Sequence, residues 1–131
     1  MRTQMIPDSD YERRVTRLQE EMSKADLDVL LTYSSESEPA SSRYLADFWP
    51  FFDFAGVVVP RQGPAALITG GPESFEFAQQ FSRINHLHIH PVFVESSAPE
   101  WVPEVEYEDF NSILAAVCRG PVRRDQSAGL A

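Results

Sequence analysis

The sequence predicts a single α/β domain built on a mixed sheet. Three observations carry this. Apolar residues recur at helical spacing near both ends of the chain, short β-branched runs lie between them, and a Pro/Gly turn joins two of those runs. The 131 residues suit one compact domain rather than two, and 43% hydrophobic with 24% charged residues is an ordinary globular balance.

Residues 1–9 read as a flexible lead, 10–121 as the domain and 122–131 as a tail without periodicity. Ser9 and Glu12 have the spacing of a capping box, and Tyr11, Val15, Leu18, Met22 and Ala25 form one helical stripe. Leu27 to Tyr33 reads as a buried strand, and polar Ser34 to Ser42, with Pro39, as a loop or short helical turn. Phe54–Val59 and Ala65–Thr69 read as two strands of a hairpin across Pro60-Arg61-Gln62-Gly63-Pro64. Pro72 sits at the first position of a helix whose start carries Glu73 and Glu76, with Phe75, Ala78 and Phe81 as its inner face. Leu87 to Val94 reads as a strand interrupted by Pro91, hence an edge or a bulge. An acidic loop, Ser96 to Glu106, precedes a last amphipathic helix marked by Phe110, Ile113, Leu114, Val117 and Cys118 and stopped by Gly120 and Pro121.

Charge narrows the function. The formal net charge is −9, and the stretch from Glu73 to Asp109 holds eight acids against one base, Arg83. Such a field repels nucleic acid and anionic membrane surfaces, so neither is expected as a partner. It is read chiefly as a solubilising surface, with docking of a basic partner as the sharper alternative. The one cysteine, Cys118, excludes an intrachain disulfide. It is expected as a buried structural thiol on the last helix. Without a signal-like or membrane-spanning apolar run, the expected location is cytoplasmic.

No complete catalytic motif is present. The Gly-x-Gly-x-x-Gly turn, the Gly-Lys-Ser/Thr phosphate loop and the Gly-x-Ser-x-Gly elbow are all missing. His86, His88 and His90 alternate along one strand and share a face, with Leu87 and Ile89 turned to the core. Such a row of imidazoles is a weak candidate metal site for zinc, nickel or copper, because three ligands on one strand are widely spaced for one ion. The alternative is a half-exposed strand face.

The densest unusual feature is Arg43-Tyr44-Leu45-Ala46-Asp47-Phe48-Trp49-Pro50-Phe51-Phe52-Asp53-Phe54, in which five of the last seven residues are aromatic. Pro50 and Asp53 argue against a regular buried strand throughout, so some rings are expected in the core and some at a contact surface. Here the chain resembles the N-terminal domain of the creatinase, prolidase and aminopeptidase P family. The resemblance runs through Arg14-x-x-Arg17-Leu18 to Met22, Ala25-Asp26-Leu27-Asp28-Val29-Leu30-Leu31, and Tyr44-Leu45-Ala46-Asp47-Phe48, which looks like the family's Tyr-Leu-Thr-Gly-Phe. It continues through Val57-Val58-Val59-Pro60, Gly63-Pro64-Ala65-Ala66-Leu67-Ile68 and Ile113-Leu114-Ala115-Ala116-Val117. Asp47 stands where that family usually has glycine, and Ser41 where it often has asparagine.

The resemblance implies a three-layer α/β/α fold of ribonuclease H-like topology without nuclease chemistry. It implies a domain that is not itself catalytic and serves dimerisation and the substrate entrance of a Xaa-Pro dipeptidase, aminopeptidase P or creatinase-like metallohydrolase. The divalent metal pair, of manganese, zinc or cobalt type, would belong to a separate C-terminal catalytic domain, and no cofactor is expected in this chain. The implied partners are that domain, a second copy of the chain and, in the full protein, the peptide substrate. By position, Arg43, Tyr44, Phe48, Trp49, Phe51, Phe52 and Asp53 are the entrance or interface candidates, with the aromatic rings suited to a proline ring and Asp53 to a free amino terminus. A stand-alone interaction module lacking the peptidase half, and a small histidine-rich metal-binding protein, are the alternatives.

Overall fold

The computed structural model describes residues 5–95 and 108–119. The expected acidic loop from Ser96, the Gly120-Pro121 stop and the tail lie outside the described residues. The elements are α1 (Asp8–Lys24), β1 (Val29–Leu31), α2 (Ala40–Ala46), β2 (Ala55–Pro60), β3 (Ala66–Thr69), α3 (Pro72–Phe81), β4 (Leu87–Ile89), a 3-10 turn at Pro91–Phe93 and α4 (Phe110–Arg119).

Four strands form one mixed sheet in the order β1-β2-β3-β4. The β2–β3 hairpin is antiparallel with Val57 opposite Leu67, whereas β4 runs parallel to β3 with His88 beside Ile68. A parallel neighbour requires a crossover, and α3 supplies it. Because side chains alternate along β2, Val57 and Val59 enter one apolar cluster and Val58 the other. The first cluster joins Met22 of α1, Leu45 and Ala46 of α2 and Ala78 of α3; the second joins Ile113 and Val117 of α4. The result is the α/β/α layering that the resemblance implies.

Several local expectations change. Helix α1 starts at Asp8 after extended Pro7, with no side-chain cap, so Ser9 lies inside the helix and the capping box does not form. Asp8 and Asp10 in the first turn favour the positive helix end instead. At its other end Asp26 takes φ 57°, and the Leu27 amide reaches back to the Met22 carbonyl, a left-handed stop that Asp tolerates better than most residues. The strand that follows is shorter than expected and lies on the sheet edge, with Leu27, Leu31 and Tyr33 exposed.

Helix α3 is rotated from expectation. Ser74 and Ala78 are buried, Phe75 is half-buried and Phe81 is exposed. The Ser74 hydroxyl donates to Asp53 Oδ2 at 2.7 Å, which fixes the helix face through a polar contact that hydrophobic spacing does not report. Strand β4 ends at Ile89, because Pro91 has no amide to continue a ladder. Cys118 is exposed rather than buried: the inner stripe of α4 is Ile113 and Val117, and the next residue points about 100° away. Partial burial, followed by the Asp28 charge, raises its thiol pKa above the ordinary value.

Candidate functional site

The strand directions place the ends of β1, β3 and β4 and the start of β2 at one end of the sheet. The aromatic segment crosses this end. Helix α2 stops at Asp47, whose φ of 52° turns the chain toward Phe48. This left-handed conformation is the one glycine favours, which explains why Asp can stand in the glycine position of the Tyr-Leu-Thr-Gly-Phe pattern. The Arg83 side chain fastens the turn, donating to Asp47 Oδ2 at 3.2 Å and to Asp8 Oδ1 at 2.6 Å. Its amide also donates to the Ala46 carbonyl, and its guanidinium stacks on Tyr11 at 4.9 Å. Hydrogen bonding to Asp8 leads the effects that raise the Arg83 pKa, against desolvation.

The candidate residues then divide. Phe48 is 2% exposed and packs on Phe77 with ring centres 5.8 Å apart. Trp49, Phe51 and Phe52 are 50%, 55% and 65% exposed. The Trp49 indole donates to the Glu36 carbonyl at 2.9 Å, and Arg43 stacks on its ring at 4.9 Å. Phe51 and Phe52 meet edge to face at 4.1 Å, and Phe52 has φ 66°. Tyr44 points elsewhere: it covers Arg14 at 4.6 Å and borders a groove of about 420 Å³ between α1, β1 and α2 that also includes Arg17 and Leu30.

Asp53 is committed to the fold. Oδ2 accepts from Ser74, and Oδ1 accepts from the Glu95 amide at 3.0 Å. The carboxylate thereby joins the aromatic segment to the first turn of α3 and to the chain leaving the 3-10 turn. Beside it Tyr33 stacks on Phe54 at 5.1 Å and on buried Phe93 at 5.5 Å.

The three histidines separate into a pair and a single. His86 Nε2 and His88 Nε2 lie 2.9 Å apart, and His88 Nδ1 lies 3.0 Å from Glu108 Oε2. His90 instead accepts from the Val92 amide and sets its ring edge to face with Phe110. His88, 8% exposed, is the most covered of the strand, contrary to a half-exposed face, with Glu108 and the His86 ring against its two nitrogens. Burial first, then the neighbouring His88, lowers the His86 pKa below its ordinary value, while Glu108 opposes them.

No protein-family model matches the chain, and no curated protein matches it in sequence. In structure it is similar to the N-terminal, creatinase/prolidase-like domain of a protein described as a metallopeptidase from Corynebacterium diphtheriae, with TM-score 0.50 and 15% identity over 61% of this chain and 59% of that one. The chain has the creatinase/prolidase N-terminal fold. Two further structures align with it: dipeptidase PepE from Mycobacterium ulcerans (TM-score 0.48, 18% identity, 61% of this chain and 20% of that one) and a Xaa-Pro aminopeptidase from Streptococcus thermophilus (0.44, 24%, 68% and 59%). The aligned part is about three fifths of the Corynebacterium chain and one fifth of the dipeptidase.

No group of three or more His, Cys, Asp or Glu among the described residues is placed to hold a metal ion. Among the described residues no helix is long and apolar enough to cross a membrane. What the aromatic end offers is a fixed apolar wall, backed by Asp53 and the Arg83 clasp. Sequence reasoning named Asp53, but for a free amino terminus rather than as an anchor, and it missed Arg83. The clasp joins residues 36 and 75 positions apart, and the one local signal for it was the acidic residue in a glycine position.

Proposed function

We propose that this chain serves as the non-catalytic N-terminal domain of a metal-dependent hydrolase of the Xaa-Pro peptidase or creatinase-like class. The observation that carries this reading is the outward-facing trio Trp49, Phe51 and Phe52 at one end of a creatinase/prolidase-like sheet. Three rings this exposed within four residues, two of them in contact, suit a surface covered by a partner. In this reading the partner is the catalytic domain, which carries the divalent metal pair, and the wall forms part of the substrate entrance. A proline ring would meet the faces of Phe51 and Phe52, Asp53 would hold the wall in shape, and Arg43 would fix Trp49. A second copy of the chain completes a homodimer.

The test has two arms. Purified chain with added manganese is expected to leave Xaa-Pro peptides uncleaved, and reproducible metal-dependent turnover by a clean preparation overturns the reading. The gene's reading frame is expected to encode spaced Asp, His and Glu ligands downstream of this domain. In that longer protein, Trp49→Ala with Phe51→Ala and Phe52→Ala should raise KM or dissociate the dimer while the metal content stays unchanged. An unaltered KM together with an unaltered dimer removes the role given to the wall. A frame that lacks the ligands favours the stand-alone interaction module.

A further inference from the structure

The histidine pair stands apart from the aromatic end and is not used by the reading above. His86 and His88 lie on the α4 side of the sheet, two residues apart, so their rings project in the same direction. Their centroids are 4.6 Å apart and the two Nε2 atoms converge to 2.9 Å. Two neutral imidazoles reach this separation by sharing one Nε2 proton, or by holding a cation between two lone pairs.

We propose that His86 and His88 form a two-histidine chelate for a divalent transition-metal ion of copper or nickel type, with both Nε2 atoms as ligands and Glu108 as the group that orients His88. The bite distance suits a single ion. Two nitrogens at about 2.0 Å from one ion stand about 2.8 Å apart at the 90° angle of a tetragonal site, and about 3.3 Å apart in a tetrahedral one. The 2.9 Å of the hydrogen-bonded pair lies within the span that one ion can bridge, and copper and nickel stand high in the affinity order for imidazole ligands. The chemistry of the flanking group agrees. Glu108 Oε2 lies 3.0 Å from His88 Nδ1, so Nδ1–H donates to the carboxylate and leaves Nε2 with its lone pair directed outward. A carboxylate behind a metal-binding histidine is the usual means of fixing both tautomer and ring orientation. His86 need only move its proton from Nε2 to Nδ1, so binding to the neutral pair releases no net proton. The remaining coordination positions go to water. His90 is not a ligand, since its Nδ1 accepts from the Val92 amide and its ring is held on Phe110.

The experiment uses the untagged full chain, stripped with chelator and titrated with copper(II), followed by calorimetry and electron paramagnetic resonance. One copper per chain is expected, with a tetragonal spectrum carrying the hyperfine pattern of two imidazole nitrogens. His86→Ala should abolish this site, His90→Ala should leave it intact, and Glu108→Gln should weaken it about tenfold. His86 lies at the solvent side of the pair, so His86→Ala decides the matter even if His88→Ala unfolds, provided circular dichroism shows the His86→Ala fold unchanged. Failure to bind copper at micromolar concentration overturns the proposal, as does copper held equally well by His86→Ala.

Discussion

Strand β2 and the aromatic segment just before it are neighbours in the chain and both apolar, yet they meet opposite fates. Every residue from Ala55 to Pro60 is buried. In the preceding stretch Phe48 and Pro50 are buried, but Trp49, Phe51 and Phe52 are half exposed or more. The difference lies in the backbone. Strand β2 has a hydrogen-bonded partner on each side and a helical layer on each face. The segment 47–53 lies in no strand, bends at the positive-φ residues Asp47 and Phe52, and is held by side-chain contacts of Asp47 with Arg83, Trp49 with the Glu36 carbonyl, and Asp53 with Ser74 and the Glu95 amide. Hydrophobicity alone therefore does not report burial: the paired strand is buried throughout, whereas in the unpaired segment burial alternates between Phe48 and Pro50 and their exposed neighbours.

The sharpest way to break this comparison is to truncate one ring on each side of the divide. Phe48→Ala should cost about 3–5 kcal/mol of unfolding free energy, the range for emptying a packed aromatic site. Phe51→Ala should change it by no more than about 0.5 kcal/mol, as expected away from the core. Urea unfolding followed by circular dichroism checks both. Equal losses would mean that the exposed wall is part of the core, and the division would fail.

Glycines at the same end of the sheet provide the next test. A β-carbon on Gly70 would lie 2.3 Å from the Phe93 carbonyl oxygen, and one on Gly56 would lie 2.7 Å from the Phe93 ring. The chain past Pro91 thus crosses against bare backbone, and this close passage is what lets Phe93 cap the second core cluster. Gly70→Ala should cost about 3 kcal/mol, because the Phe93 and Val94 backbone must move, and Gly56→Ala about 2 kcal/mol, because the Phe93 ring can shift although the Thr32 carbonyl oxygen at 2.8 Å must also give way. The reverse order in thermal unfolding would place the more rigid contact at Gly56, against the Thr32 carbonyl.

Legibility in the sequence followed the same divide. The hairpin, the apolar stripe of α1 and the helix after Pro72 were readable because one periodic signal fixes each of them. The rotation of α3 was not, because Ser74 owes its burial to Asp53, 21 positions away. The division among His86, His88 and His90 was not legible either, since strand alternation gives all three one face, while Phe110 and Glu108 of the following segment separate them. The aromatic segment was conspicuous in composition, but which rings face outward depends on two left-handed residues, Asp47 and Phe52.

Asp47 separates backbone from charge. Asp47→Ala should destabilise by about 1–2 kcal/mol, the cost of holding an ordinary residue in the left-handed region, whereas Asp47→Gly should cost about 1 kcal/mol less than that. If both variants melt together, the ion pair with Arg83 rather than the turn is the important contribution. Replacing Arg83 by Lys then tests the clasp from the other side, since one ammonium cannot reproduce the separate hydrogen bonds to Asp8 and Asp47.

The smallest expected effect is a gain. Phe52 holds φ 66° with a ring that is 65% exposed, so it bears backbone strain without the burial that usually accompanies a large apolar side chain. Phe52→Gly should therefore stabilise the isolated domain by about 0.5–1 kcal/mol, net of glycine's greater freedom in the unfolded chain. Phe52→Asn, which also tolerates the left-handed region, should stabilise it by less. A loss of stability in both variants would show that Phe52 belongs to the buried side of the comparison. A gain would show that the strained conformation is not retained for the stability of the domain itself.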